Sequence, residues 1–224
     1  YDLIYADQVK RLDMTAVAAV LTGDLIGSTP AGNDAVERAM AVLSDTAEDI
    51  AHWPDARPTR FTRHRGDGWQ ALVAPPARGL RAAVLFIARL RATADAPATR
   101  IAIGKGLVQS IGTTDLSDAH GEAFASSGRA LELMGRGMRL NIGGSGFTPL
   151  HWGVVDLIDE ITARWTPHQA EAMALALHPG QPTQAEVAAR LGISTQAANY
   201  RLTGAGAGAI RRALHAWETT EEAG

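Results

Sequence analysis

The apolar positions of this chain change period several times, and each change predicts a helix or a strand. An uninterrupted apolar run over residues 16–21 predicts a buried strand. Apolar positions three and four apart predict two amphipathic helices, over residues 33–52 and 77–92. Between these helices, an extended run over 59–64 and an apolar run over 69–73 flank a pair of glycines, which predicts a β-hairpin.

The pattern continues with a strand over residues 101–108, a helix over 121–138 and a short strand over 140–142. The resulting order is β-α-β-β-α-β-α-β. This order predicts an α+β sandwich built on the ferredoxin-like arrangement, which we place at residues 14–148. Residues 1–13 lack a clear period and are interpreted as an N-terminal extension.

From residue 149 onward the pattern is helical throughout. An amphipathic helix over residues 152–165 is expected to act as a linker, within the segment 149–165. The segment 166–218 is predicted to form a separate all-α domain. The last residues, 219–224, are acidic and are predicted to be a frayed tail.

The all-α segment contains the pattern of a helix-turn-helix. Thr183 and Glu186 have the spacing of a capping box at the start of one helix. Gly192 follows in a tight turn, and residues 195–202 form the next helix. The glycine-rich stretch 204–208 then predicts a hinge or a close helix crossing.

Composition narrows the class of protein. The 224-residue chain is 46% hydrophobic, as is typical of globular proteins, and it has no cysteine for a disulfide or a cysteine zinc site. No apolar run approaches a membrane span and no signal-peptide pattern is present, so we expect a cytoplasmic protein without membrane contact. The net charge of −3 argues against a generally basic nucleic-acid coat, but not against a local DNA-reading face.

Two aspartates stand where strands meet glycine-containing turns. Asp24 precedes the turn at residues 27–29, and Asp67 lies between two glycines in the hairpin. A carboxylate beside a loop with free N–H groups suits Mg²⁺ and phosphate. Two such carboxylates on neighbouring strand ends could hold two metals about 3.5–4 Å apart. Taken singly, each aspartate is equally well explained as a turn former or helix cap.

Four segments in this order (LTGDLIGST, RHRGDGW, RIAIGKG and GEAFASSGRAL) resemble the catalytic domain of class III adenylate and guanylate cyclases. The chain is more specifically similar to SatD-like bacterial proteins, which join a cyclase-like domain to a C-terminal helix-turn-helix. The resemblance covers roughly residue 15 to the end. It implies Mg²⁺ or Mn²⁺, a nucleoside triphosphate (ATP or GTP) as the ligand, and a homodimer in which the metals and a phosphate-binding arginine come from different subunits.

The resemblance also implies roles for individual residues. Asp24 and Asp67 match the metal-binding carboxylates. Arg129 matches the arginine that stabilises phosphate charge in the transition state, although a surface or interface salt bridge is the simpler alternative. Arg63 stands where adenylate cyclases have the lysine that reads adenine. The residues expected under the triphosphate are Ile26, Gly27, Ser28 and Thr29.

One position departs from the cyclase pattern. Ala125 occupies the place of the asparagine that orients the ribose, four residues before Arg129. Alanine offers no hydrogen bond, and the loss of a positioning contact can cost about 10²-fold in rate. The neighbouring Ser126 and Ser127 do not stand at the matching turn of the helix. We therefore expect metal and triphosphate binding without efficient cyclisation.

The second helix of the helix-turn-helix carries polar residues that suit the major groove. Gln and Asn side chains can read adenine and Arg can read guanine, although the same motif also serves as a plain packing unit. Residues 166–215 hold four arginines and two glutamates, a net charge of only +2, so two copies in a dimer are expected to bind double-stranded DNA. The residues predicted to face outward are Thr195, Gln196, Asn199, Tyr200 and Arg201.

Three functions remain open from the sequence. The chain could be a transcription regulator whose cyclase-like domain senses a nucleotide. It could be an active cyclase, forming cAMP or cGMP, with a regulatory helix-turn-helix. It could also be a DNA-binding dimer in which the cyclase-like part is only a scaffold. Asp24 and Asp67 together argue against the scaffold, and Ala125 argues against the active cyclase, so the regulator is our expectation.

Overall fold

A computed structural model of the chain describes residues 16–56, 59–64 and 66–223, with side chains up to residue 221. The predicted extension over residues 1–13 lies outside the described residues. The strands are β1 (Ala16–Leu25), β2 (Arg60–Arg63), β3 (Gly68–Val73), β4 (Thr99–Ser110), β5 (His120–Gly121) and β6 (Leu140–Gly144). The helices of the sheet-containing part are α1 (Ser28–Ala31), α2 (Asn33–Ala51), α3 (Gly79–Ala92) and α4 (Glu122–Glu132). The helices that follow are α5 (Pro149–Ala163), α6 (Pro167–Ala176), α7 (Gln184–Leu191), α8 (Thr195–Gly204) and α9 (Ala207–Ala223).

The strands form one mixed sheet, and the predicted α+β class is confirmed. The order along the sheet is β2-β3-β1-β4-β5, with every neighbouring pair antiparallel. The last strand, β6, runs parallel to the first half of β4. None of the helices in the described part of the chain has the length and apolar character needed to cross a membrane.

Both faces of the sheet are buried, which explains why β1 reads as an uninterrupted apolar run. Ala19 and Leu21 belong to the core that includes helices α2 and α3. Ala18 and Val20, which alternate with them, pack with Phe124 of α4 on the other face. Successive side chains of a strand point to opposite faces, so one short run supplies both cores.

Helix α3 is buried almost all round and lies at the centre of the molecule. One side packs against α2 and the sheet, and the other packs against α6. A helix that is apolar on every side must be covered on every side, because each exposed face would leave hydrophobic surface in water. The core therefore continues without a break from the sheet into the C-terminal helices.

A buried ion pair also joins α3 to α9. The Nε and Nη2 atoms of Arg81 donate to the two carboxylate oxygens of Glu218 at 2.6 and 2.9 Å. Nη1 of Arg81 donates to the carbonyl oxygen of Leu177, just after α6, at 3.1 Å. Because both charges are buried, the loss of Glu218 would leave Arg81 without a counter-charge, and removing one partner of a buried ion pair typically costs about 3–5 kcal/mol.

The prediction of a frayed tail over residues 219–224 is wrong, because α9 runs to Ala223. The carboxylate of Glu221 is almost fully buried and lies 2.6 Å from Nζ of Lys105 on β4. His151 on α5 contacts the same carboxylate at 3.7 Å. The acidic end of the chain is thus ordered by ion pairs that come from distant elements and that periodicity does not reveal.

Two other predicted boundaries need correction. The helix predicted over residues 121–138 ends at Glu132, and a glycine-containing loop leads from there to β6. Strand β1 does not stop at residue 21 but continues through Asp24, since Asp24 pairs with Gly68 on one side and with Arg100 on the other. The stretch 204–208 joins α8 to α9, and a Cβ on Gly204 would lie 2.6 Å from Nε2 of Gln169, the flexible end of that side chain, so the predicted alternatives of a hinge and a close helix crossing both stay open.

Candidate functional site

An open cleft of about 540 Å³ lies where β1 ends, and it brings together most of the predicted nucleotide and metal residues. Asp24 contributes from the end of β1, and Asp67 from the turn of the β2–β3 hairpin. The predicted triphosphate loop, Ile26 to Thr29, forms another wall. Residues that are far apart in sequence meet here because β3 and β4 both pair with β1.

The charge of Asp24 is balanced by Arg100, to which the sequence analysis assigned no role. The two residues are direct cross-strand partners in the β1–β4 ladder. Nε of Arg100 donates to Oδ1 of Asp24 at 2.9 Å, and Nη2 donates to Oδ2. The hydrogen bond to Asp24, together with the charges of Asp24 and Asp67, raises the pKa of Arg100. The guanidinium of Arg100 therefore pairs with Asp24 and lies close enough to Asp67 to be affected by its charge.

Asp67 is held against the predicted phosphate loop by Ser28, whose hydroxyl donates to Oδ2 of Asp67 at 2.5 Å. Gly27 adopts a left-handed conformation, with φ of 71°, that turns the chain from β1 into the single turn of α1. Among the described residues, the N–H groups of Ser28 and Thr29 have no acceptor. The N–H of Ile26 is not free, because it donates to the carbonyl of Ala98 at 2.7 Å.

Two further arginines line the cleft from the loop between α4 and β6. They are Arg136 and Arg139, and with Arg100 they place three cations beside the two carboxylates. Neither arginine was predicted as a site residue from the sequence, although glycine and arginine recur over residues 135–139. Such a basic loop with little side-chain bulk suits contact with phosphate oxygens.

The donor set of this cleft fits Mg²⁺ only in company with a phosphate ligand. Among the described residues, no group of three or more carboxylates and histidines could hold a metal alone. Mg²⁺ in phosphate sites is typically held by one or two carboxylates, water and the substrate's own oxygens. Asp24 and Asp67 supply those carboxylates, provided that Arg100 releases Asp24.

The cleft does not contain Arg63. Nη1 of Arg63 lies 2.8 Å from each carboxylate oxygen of Glu37, on α2. Its Nε donates to the carbonyl of Gly66 at 3.2 Å. The predicted contact of Arg63 with a nucleotide base would therefore require this residue to leave an ion pair.

Arg129 lines a second cleft together with Ala125, Leu133 and Trp152, and it does not line the cleft of Asp24 and Asp67. Within one chain it is thus separated from Asp24 and Asp67. Helix α4 can carry Arg129 close to the sheet because β4 has a glycine beneath it. A Cβ on Gly104 would lie 2.1 Å from the carbonyl oxygen of Ala123.

The serines beside Ala125 are already engaged in hydrogen bonds. Ser127 is fully buried and pairs with the hydroxyl of Thr22 at 2.7 Å. Ser126 donates to the carbonyl of Ala123 at 3.2 Å. Neither hydroxyl is free to replace the amide that is missing at Ala125.

Helices α7 and α8 form a second candidate site, for nucleic acid. The capping box predicted at the start of α7 is confirmed. The N–H of Glu186 donates to Oγ1 of Thr183 at 3.2 Å, and the N–H of Thr183 donates to the carboxylate of Glu186 at 2.7 Å. Gly192 turns the chain with φ of 64°, and Ser194 caps α8. The exposed residues of α8 include Thr195, Gln196, Asn199 and Tyr200, and Tyr200 is 81% exposed.

Arg201 does not share this outward face. Its guanidinium lies 2.8 Å from the carboxylate of Glu171 on α6, and only 21% of its side chain is exposed. One face of the helix carries residues 195, 196, 199 and 200. Residue 201 lies further round the helix axis than residue 200, on the side that faces α6. Arg201 therefore helps to dock α8 onto α6, and the expectation that it points outward needs correction.

A scan against protein-family models finds no match to this chain, and a search of curated proteins finds none either. The residues and geometry of the two candidate sites are therefore the basis for proposing a function.

The Asp24–Arg100 pair generates a direct prediction about metal binding. Replacing Arg100 by glutamine removes the cation that competes for Asp24, so the affinity of the cleft for free Mn²⁺ or Mg²⁺ should rise. Because the pair is partly exposed, we expect a gain of roughly two- to tenfold. Electron paramagnetic resonance of free Mn²⁺ during a titration measures this affinity.

The matched control is Arg63→Gln, because Arg63 has the same exposed fraction of 37% and also contacts both oxygens of a carboxylate. Arg63 lies outside the cleft, so the Mn²⁺ affinity of the Arg63→Gln variant should equal that of the unmodified chain. Equal Mn²⁺ affinities for the Arg100 and Arg63 variants would show that Arg100 does not compete for a metal site.

Proposed function

We propose that this chain is a DNA-binding transcription regulator, in which the sheet-containing part binds a nucleoside triphosphate with Mg²⁺ and couples that binding to DNA affinity. The observation that carries the proposal is the convergence of Asp24, Asp67 and the loop 26–29 in one cleft with Arg100. These groups come from two strands and two turns, and together they offer both metal ligands and phosphate donors.

The sheet topology supports the same proposal. The order β2-β3-β1-β4 with antiparallel neighbours, and with α2 and α3 as crossovers on one face, is compatible with a ferredoxin-like unit. Class III cyclases share this arrangement, so it agrees with the resemblance carried by the four sequence segments. The strand β6 and helix α4 then extend the unit on the other side of β4.

Arg100 has two roles in this proposal. Without nucleotide, its guanidinium neutralises Asp24 and reduces the repulsion between Asp24 and Asp67. When nucleotide is present, Arg100 turns from Asp24 to the phosphate oxygens, for which its forked donors are well shaped. Bound Mg²⁺ would supply charge neutralisation between the carboxylates and the phosphates.

A second copy of the chain would complete the site. Arg129 is exposed, makes no ion pair with the described residues, and lines the second cleft, which the large apolar side chains of Leu133 and Trp152 also line. Leu133 is 75% exposed and Trp152 is 38% exposed. Exposed apolar residues around a free arginine favour a subunit interface, in which Arg129 would reach the phosphates bound by the partner's carboxylates.

The DNA-binding part of the proposal depends on α7 and α8. Their capped helices and glycine turn agree with a helix-turn-helix, and α8 leaves amide side chains exposed for the major groove. Asn199 already accepts a hydrogen bond from Gln184 at 2.9 Å, which would pre-orient it for an adenine edge. Gln196 is exposed in the first turn of α8.

Nucleotide binding should require both aspartates. We expect Asp67→Asn to reduce the affinity for Mg²⁺–ATP or Mg²⁺–GTP at least about tenfold, because a neutral amide is a poor ligand for a hard cation. Calorimetry with the unmodified chain, Asp24→Asn and Asp67→Asn measures the change. Asp45→Asn, at an exposed position of α2, is the control and should bind normally.

The same samples, incubated with nucleotide, report on catalysis. The missing amide at Ala125 leads us to expect no cyclic product at ordinary enzyme rates of about 1–10³ per second. Nucleotide binding that survives both aspartate substitutions and EDTA would contradict the proposed site. Rapid formation of cyclic product would instead favour the active cyclase.

Coupling between the two sites is the second expectation. If nucleotide binding changes the DNA affinity, the factor should be of the usual allosteric size, about 5- to 150-fold. Gel-shift titrations on the DNA upstream of the protein's own coding sequence, with and without Mg²⁺–nucleotide, measure this factor. Arg129→Ala should keep DNA binding but lose its response to nucleotide.

Gln196→Ala tests the DNA-reading face in the same assay. The loss of a bidentate base contact should weaken specific binding by roughly 5- to 150-fold. Gln109→Ala removes an exposed glutamine from β4, away from α8, and should have no effect. A DNA titration that nucleotide leaves unchanged would mean that the two parts act independently, and the sensor proposal would be wrong.

A further inference from the structure

A third cleft, of about 470 Å³, lies where the first turn of α3 meets α9 and the loop after α6. It is remote in sequence from the aspartate cleft and is more strongly basic. Its charged and titratable lining residues are Arg78, Arg81, Arg211, Arg212, His215 and Glu218. With His215 neutral, these residues give the cleft a net charge of +3.

The single carboxylate of this cleft is already fully used. Glu218 accepts from Arg81 at 2.6 and 2.9 Å, and Nη1 of Arg78 lies 2.8 Å from its Oε2. In the described part of the chain, Arg211 and Arg212 have no carboxylate within 4 Å. Two guanidinium charges therefore lack a counter-charge.

Two buried donors also lack an acceptor. Among the described residues, the Nε atoms of Arg78 and Arg211 are shielded from solvent and make no hydrogen bond. The guanidinium of Arg211 is held in place by Nη2, which donates to the carbonyl of Pro182 at 3.0 Å. Burial, and then the charge of Arg81, lower the pKa of Arg211. Unsatisfied buried donors are costly, and an anion bound to the accessible ends of these guanidinium groups would offset their charge without reaching the shielded Nε atoms.

We propose that this cleft binds a phosphorylated small molecule without a metal ion. Guanidinium groups match the spacing of phosphate oxygens, and several of them converge here from two helices. The cleft is larger than a phosphate ion and within the size range of small-molecule sites. It has no free carboxylate to hold a metal, so binding should be independent of Mg²⁺.

The depth of the cleft favours a small molecule over the DNA backbone. The side chains of Arg81 and Arg78 at its floor are only 6% and 17% exposed, whereas Arg212 is exposed at the rim. A DNA phosphate could contact the rim, but the rigid duplex would not reach the floor. A compact anion can contact both.

Such a ligand would bridge the two halves of the chain. The floor residues belong to the start of α3, which packs against the sheet, and the rim residues belong to α9, which follows the helix-turn-helix. Binding would therefore stabilise the folded chain against heat, and this gives a second readout beside affinity. The site does not depend on the proposed nucleotide function of the aspartate cleft.

Binding is measured by calorimetry on the full-length chain, with pyrophosphate as the probe and with EDTA present. We expect binding by the unmodified chain, with a matching increase in thermal midpoint. Arg212→Gln removes an exposed, unpaired guanidinium and should weaken binding about tenfold without loss of folding. Arg164→Gln, which removes an exposed arginine of a surface pair with Glu160, should bind pyrophosphate normally.

Asp67→Asn separates this site from the aspartate cleft. Pyrophosphate binding in EDTA that Asp67→Asn leaves unchanged would support the proposal whatever the fate of Mg²⁺–nucleotide binding. Any one of three results would overturn the proposal. The first is that the unmodified chain shows no binding at about 10 mM pyrophosphate, and the second is that the Arg212→Gln and Arg164→Gln variants bind pyrophosphate with equal affinity. The third result is that Arg212→Gln abolishes DNA binding and leaves the pyrophosphate affinity unchanged. The last result would assign the arginines to DNA.

Discussion

The burial of helix α3 on all sides is the constraint on which the rest of the structure depends. Its apolar surface needs the sheet on one side and α6 on the other, so the C-terminal helices cannot separate from the sheet without exposing a core. The buried Arg81–Glu218 pair strengthens this constraint, because both charges would have to be rehydrated or left unpaired. The packed core thus connects the sheet to helices α7 and α8 through α6.

The candidate site follows from strand register within the same frame. Asp24 pairs across β1 and β4 with Arg100, and the β2–β3 hairpin brings Asp67 to the same end of β1. A carboxylate pair without a cation would repel itself, and the guanidinium of Arg100 solves that problem in the absence of metal. In our account, the same guanidinium then serves the phosphates, so that the site is stable when empty and receptive to an anionic ligand when metal is present.

The sequence was informative where local chemistry decides the structure. The buried strand, the hairpin, the capping box at Thr183 and the turn at Gly192 all depend on neighbours in sequence, and each was predicted. Contacts between distant residues were not predicted. Arg100 faces Asp24 through the strand register, and Arg201 turns toward Glu171 on α6. Lys105 and Arg81 pair with carboxylates near the acidic end of the chain.

The most direct test of our account is the environment of the Arg100 guanidinium, observed by nuclear magnetic resonance of the arginine side chains. The signal of Arg100 is the one that is missing from the spectrum of the Arg100→Gln variant. We expect this signal to shift when Mg²⁺ and a non-hydrolysable triphosphate analogue are added together, because Arg100 then exchanges Asp24 for phosphate oxygens. Mg²⁺ alone or the analogue alone should shift it far less. An Arg100 signal that stays in place while the analogue and Mg²⁺ saturate the protein would contradict the account.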